Sequence, residues 1–133
     1  MIICAGESLI DMVSFVTEKG EVQYSPYVGG SILNSAIALG RLGADAYYCG
    51  TVSNDTFGDL IENCLRDSKV QEDFIIKTNR HTTLAYADVT DGVAKYTFVD
   101  EHSASRLIDE DSLKPFVNKI KNAKALLVGG ISL

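Results

Sequence analysis

Chemistry in this 133-residue chain is first suggested by Gly29-Gly30 and by the asparagine four residues on, Asn34. Two consecutive glycines let a backbone pass close to a ligand with no Cβ in the way. Behind them Ile32, Ala36 and Leu39 fall at i, i+4 and i+7, and Leu33 and Ile37 widen the stripe, which is the spacing of a buried helix face. Ser31 is placed to cap that helix with its side-chain oxygen; Arg41 in the last turn and Gly43 just beyond supply the stop. The free N–H groups of such a helix point back at the glycines, so an anion or a hydroxyl-rich molecule can sit there. Asn34, one turn in, both donates and accepts hydrogen bonds. The same pattern also makes a plain tight turn. Neither Gly-x-Gly-x-x-Gly nor Gly-Lys-Ser/Thr occurs, which excludes the dinucleotide fingerprint and the Walker loop.

Asp11 is the second candidate. Ile2 to Ala5 is a short apolar run closed by Gly6 and reads as a buried strand. Asp11 therefore follows the C-terminal end of a strand, where open α/β sheets bind their ligands, unless it is a solvated or capping carboxylate. The remaining titratable residues offer less. Cys4, Cys49 and Cys64 are widely spaced within apolar segments and read as small buried hydrophobes in a reducing cytosol. His81 and His102 lack metal spacing and read as loop residues.

The elements that must position these residues alternate. After β (2–5) come two arms rich in β-branched and aromatic residues, Met12 to Thr17 and Val22 to Tyr27, flanking a Gly-containing turn: a hairpin. Helix 31–42, strand 46–52, a helix opened by the polar turn 53–59 and a short strand at 74–76 follow. Thr82 to Val89 and Val93 to Val99 surround Asp91-Gly92, a strong type I′ hairpin signal. Leu84 and Tyr86 on one arm, with Tyr96 and Phe98 on the other, could build one apolar surface, serving as core, as a flap or as a contact between subunits. Leu113, Phe116, Val117 and Ile120 have helical spacing, with Pro115 tolerable only in the first turn. Ala125 to Val128 is a last buried strand, with Gly129-Gly130-Ile131-Ser132-Leu133 at its tip. Strands alternating with helices imply a parallel sheet, and the two hairpins cannot fit inside it. They are expected to form a separate small sheet covering the Asp11 and Gly29-Gly30 region.

The whole chain is globular in composition, 46% hydrophobic and 23% charged, and is one domain's worth or part of a larger one. A net charge of −6 and a pI near 4.8 argue against nucleic-acid or anionic-membrane partners. No segment approaches the roughly 18 apolar residues that span a bilayer. The N-terminus has no basic region of the signal-peptide kind, so the expected location is the cytoplasm.

Together these residues resemble the ribokinase, or pfkB-type, carbohydrate kinase family. Gly29-Gly30-Ser31-Ile32-Leu33-Asn34 through Leu42-Gly43 is similar to the family's first motif, and Gly6-Glu7-Ser8-Leu9-Ile10-Asp11 to its first strand and sugar-contacting Asp. The segment Gly50 to Gly58 resembles its Gly-x-Val-Gly-x-Asp-x-Phe-Gly turn, with Ser53 in place of Gly. The runs Thr82 to Ala85 and Phe98 to Ala104 look most like the fructokinase branch. The resemblance implies an α/β fold with a ribokinase-like parallel βαβ sheet, here incomplete, and a small β-hairpin lid formed by segments near 12–28 and 82–100. It implies that Asp11 accepts hydrogen bonds from two sugar hydroxyls, that the Gly29 and Gly30 amides approach the ring, that Asn34 holds another hydroxyl, and that Phe98 reaches the sugar from the lid. It implies ATP and Mg²⁺ as cofactors, fructose as substrate, and a possible homodimer through the lid. Ribose, 2-keto-3-deoxygluconate or a nucleoside are the alternative substrates, and a non-catalytic sugar-binding or dimerising module is the alternative role.

Two departures stand out. Ser31-Ile32-Leu33 replaces the Ala-Pro-Ala common after the two glycines, which reshapes the pocket floor, and Gly129-Gly130-Ile131-Ser132 offers no carboxylate near the last strand. The family's Asn-x-x-Glu and Gly-Ala-Gly-Asp motifs, linked to Mg²⁺ and to the general base, do not occur in these 133 residues. The chain is therefore expected to hold the sugar-binding part, with no catalytic base and no metal ligands of its own, and to be inactive alone.

Overall fold

The computed structural model describes residues 1–90 and 93–130. Its strands are β1 (Ile2–Ala5), β2 (Leu9–Val16), β3 (Val22–Gly29), β4 (Ala46–Ser53), β5 (Gln71–Thr78), β6 (Thr83–Thr90), β7 (Val93–Val99) and β8 (Ala125–Val128). Its helices are α1 (Ser31–Arg41), α2 (Thr56–Asp67), α3 (Glu110–Leu113) and α4 (Val117–Ile120), with single 3₁₀ turns at Ala104–Arg106 and Lys114–Phe116.

The strands form two sheets. One runs β5-β4-β1-β8 and is parallel throughout, as the alternating pattern predicts. Successive side chains of β1 point to opposite faces. Cys4 packs with Ile32, Leu33, Ala36 and Ile37 of α1 and Ile61 and Leu65 of α2. Ile3 packs on the other side with Cys49 and Phe74, against Leu113, Phe116 and Ile120. Fully burying an Ile, Leu or Phe side chain of this kind is worth about 1.5–3 kcal/mol. Cys4 and Cys49 are buried free thiols, and burial pushes the Cys49 thiol up to about 11, as inert core residues require.

The second sheet runs β3-β2-β6-β7. Its two antiparallel hairpins, β2/β3 and β6/β7, are joined by parallel pairing of β2 with β6. The hairpins thus do share one separate sheet. The Asp91-Gly92 turn and the tip residues 131–133 lie outside the described residues.

Several local expectations are corrected. Ser31 does not cap α1: the N-cap is Gly30, with no side-chain cap, and Ser31 is the first helical residue. Asp11 follows the C-terminal end of β1, as expected, but within a second strand. Gly6 to Ser8 turns the chain out of the first sheet, β2 restarts at Leu9, and Asp11 is its third residue. Leu84 and Tyr86 do not share a face with Tyr96 and Phe98. Leu84 pairs with Val99 and Tyr86 with Thr97, whereas Phe98 pairs with Ala85 and Tyr96 with Ala87. That register puts the two aromatic sets on opposite sides. The helix expected around 113–120 is broken into α3 and α4, because Pro115 lies in the 3₁₀ turn between them and cannot donate a helical hydrogen bond.

The hairpin sheet is tied to the parallel one by buried hydroxyls. Ser105 Oγ donates to the Ser8 carbonyl at 2.7 Å, Thr83 Oγ1 and Ser103 Oγ lie 2.7 Å apart, and Thr51 Oγ1 donates to the Ala104 carbonyl. Asp55 caps α2 through Gly58 N–H and also accepts from the N–H and hydroxyl of Thr82, where β6 begins. His81, in the preceding loop, has its ring nitrogens 2.9 and 3.1 Å from the Thr82 and Glu101 carbonyls.

Candidate functional site

The two faces of the hairpin sheet differ. On one, Ile10 is fully buried with Met12, Val28 and Leu84 against α1 and α2. The other carries Asp11. Register places Tyr27, Asp11, Ala85 and Phe98 side by side in one row across all four strands, and Ser25, Val13, Ala87 and Tyr96 in the next. Neighbouring strands are about 4.8 Å apart, and the small Ala85, only 1% exposed, stands between Asp11 and Phe98 in this row. Tyr27, Tyr96 and Phe98 are each more than half exposed, and the last two stack with centroids 6.2 Å apart.

Asp11 leans on Gly29. A Cβ built on Gly29 would fall 2.1 Å from Asp11 Oδ2, so only glycine leaves room for this carboxylate. Burial raises the Asp11 carboxyl above the ordinary carboxylate range. Its oxygens make no hydrogen bond or ion pair among the described residues. Gly30 has φ +108°, the left-handed region, and a Cβ there would meet the Glu7 carbonyl at 3.0 Å. Asn34 is exposed on the first turn of α1, where its N–H bonds the Gly30 carbonyl at 2.9 Å. The structure thus brings Asp11, Gly29 and Gly30 into direct proximity, puts Asn34 one helical turn beyond, and sets Phe98 in the Asp11 row.

Glu7 and Tyr27 escape the sequence reading. Glu7 is 1% exposed, and its Oε1 accepts from Ser31 N–H at 3.1 Å and from Ser31 Oγ–H at 2.6 Å. This carboxylate occupies the start of α1 that the sequence alone leaves free for an anion. The signals that could have pointed to it were an uncapped glycine at the helix start and the lack of an acid in the first turn. Tyr27 joins the site only through strand register.

No Lys or Arg side chain lies on the Asp11 face or in the first turn of α1 among the described residues. An arrangement of one open carboxylate, amide groups and aromatic rings suits a neutral polyol, whose hydroxyls donate to the carboxylate and whose C–H faces pack on rings. A cavity of about 480 Å³ opens on the far side of the parallel sheet between β8 and α3–α4. Its wall is mostly aliphatic, from Leu113, Val117, Ile120, Leu126 and Val128, and it contains none of the site residues, so size alone does not mark the polar site here. Among the described residues no three His, Cys, Asp or Glu side chains cluster as metal ligands, and the α1 N-terminus already holds the Glu7 carboxylate.

The profile of the pfkB family carbohydrate kinases matches residues 1–133. Over 133 residues the chain is 38% identical to a fructokinase from Rhizobium leguminosarum bv. trifolii, covering 100% of this chain and 40% of that protein. The crystal structure of a fructokinase from Xylella fastidiosa superposes with a TM-score of 0.85 at 26% identity, covering 96% of this chain and 41% of that one. A second structure of a Xylella fastidiosa fructokinase, with bound ATP, gives a TM-score of 0.77 at 29% identity over 84% of this chain and 36% of that one. The chain spans about two fifths of the length of these relatives. With the profile matched along its whole length, this chain belongs to the pfkB family of carbohydrate kinases.

Proposed function

We propose that the chain forms the sugar-binding part of an ATP-dependent carbohydrate kinase acting on a neutral sugar, fructose. The observation that carries this reading is the Asp11 carboxylate, seated on Gly29, raised by burial and unpaired among the described residues. A half-buried carboxylate left without protein donors is suited to take them from a ligand. In this reading Asp11 accepts from two sugar hydroxyls, the Gly29 and Gly30 backbone approaches the ring, and Asn34 holds a further hydroxyl. The hairpin sheet acts as the lid, with Phe98 over the sugar. The absence of cations on the described part of that face favours a neutral sugar over the sugar acid 2-keto-3-deoxygluconate, whose carboxylate would meet Asp11 with no counter-charge. The fructokinase names among the relatives support the same choice. Second copies of the chain can meet through the exposed Tyr27, Tyr96 and Phe98, a face apolar enough to self-associate.

Phosphoryl transfer needs a positioned nucleotide, metal and base. ATP supplies the phosphoryl group when bound; no step is assigned to it on these residues, which only bind and orient the sugar and keep water from it. The purified chain is expected to bind fructose and to release no ADP from ATP and Mg²⁺ with fructose, ribose, glucose or 2-keto-3-deoxygluconate. Calorimetric titration tests the binding: Asp11→Ala should abolish it, because the sugar hydroxyls are left unpaired. Unchanged affinity would remove Asp11 from the site.

A further inference from the structure

We infer that Glu7 is a positioning residue for this sugar site, an inference that rests on the reading just given. Glu7 lies four residues before Asp11 and bonds Ser31, the residue after Gly29-Gly30. Its carboxylate therefore ties together the two segments that supply the site. The contact is closely walled: the Gly30 Cα sits under the Glu7 carbonyl, and a Cβ on Gly129 would lie 2.5 Å from Glu7 Oε2. Movement of the carboxylate would shift Ser31, and with it the Gly29-Gly30 turn on one side and Asn34 on the other.

The second oxygen separates positioning from plain stabilisation. Glu7 Oε2 is buried with no hydrogen-bond partner among the described residues. A buried carboxylate using half of its acceptor capacity is a poor way to stabilise a helix start, since a Ser, Thr, Asp or Asn N-cap would do so at the surface without burying a charge. What the buried carboxylate supplies beyond such a cap is a short, charge-assisted bond from outside the helix, which sets direction as well as energy.

The test compares fructose affinity with thermal stability in Glu7→Gln, Ser31→Ala and the double variant. Gln keeps an acceptor for Ser31 but loses the charge that shortens the bond. Glu7→Gln is expected to raise the fructose Kd about tenfold, which is ~1.4 kcal/mol, with a melting temperature close to that of the parent chain. Ser31→Ala removes one exposed hydroxyl and should weaken binding severalfold, and the double variant should be no worse than Glu7→Gln, because both act through one clamp. A residue that only stabilises the fold would move the melting temperature and leave Kd alone. Parent-like affinity in folded Ser31→Ala and Glu7→Gln, or losses that simply add in the double variant, would overturn the inference while leaving the sugar site standing. Should Glu7→Gln fail to fold, Ser31→Ala decides by itself. A parent chain that binds no sugar overturns the proposed function and this inference with it.

Discussion

Gly29→Ala isolates the geometry of the site from the stability of the fold. The new Cβ would lie 2.1 Å from Asp11 Oδ2, against about 3.4 Å for ordinary contact, so the carboxylate must retreat by about 1.3 Å. The neighbours that give way are the unrestrained Asp11 side chain and, by a few tenths of an ångström, Leu9 Cδ1 at 3.2 Å, and Gly29 has no positive φ that would strain an alanine. Loss of glycine's freedom in the unfolded chain is worth about 0.4–1 kcal/mol in the opposite direction. Stability should therefore change by about 1 kcal/mol or less. Binding should suffer far more. A hydrogen bond lengthened by more than 1 Å is no longer one, and each bond to a charged group is worth about 1.5–3 kcal/mol. Loss of one such bond raises the fructose Kd by roughly 10- to 150-fold. Calorimetric titration beside a denaturant melt measures both quantities. A folded Gly29→Ala chain with parent affinity would show that the Asp11 carboxylate, in this position, is not what holds the sugar.

Three further outcomes are expected. Gly30→Ala should behave in the opposite way, losing about 1–2 kcal/mol of stability in a denaturant melt, because Gly30 has φ +108° and its Cβ would press on the Glu7 carbonyl. Fructose affinity should fall on acidification starting at a higher pH than an ordinary aspartate would give, since burial raises the Asp11 carboxyl and only its ionised form accepts from two hydroxyls; a titration of Kd against pH that shows no such step would refute this role. At Asp55 burial works to raise the carboxyl, but hydrogen bonds from Thr82 and Gly58 outweigh it and hold the carboxyl below its usual range. Its stabilising contribution is therefore complete above the unfolded value near 4 and is lost as pH falls through the lower folded value. Asp55→Ala should cost about 1–2 kcal/mol at neutral pH, as loss of a helix cap does, and should flatten the acid limb of the stability profile.

Much of this molecule is legible residue by residue. The buried stripe of α1, the alternating strands and helices, and the two hairpins that cannot fit a parallel sheet all follow from local patterns that repeat every 3.6 or 2 residues. Asp11, Gly29-Gly30 and Asn34 could be picked out because their types are unusual where they stand. The interruption at Pro115 was visible as a risk, and the structure resolves it as a break between two single-turn helices.

Register and long-range contacts were not legible. Whether Phe98 shares a face with Asp11 or with Leu84 depends on a one-residue choice in strand pairing, and that choice reverses every side chain. The parallel pairing of β2 with β6, which lines up Tyr27, Asp11, Ala85 and Phe98, joins segments more than 70 residues apart. Glu7 reaches Ser31 across 24 residues and takes the helix start that local capping rules assign to Ser31 itself. Local chemistry thus pointed to most of the elements and to Asp11, Gly29, Gly30 and Asn34 as candidates. The folded chain alone decided which of them meet, because contacts between distant segments follow from how whole faces pack and leave no periodic trace in the sequence.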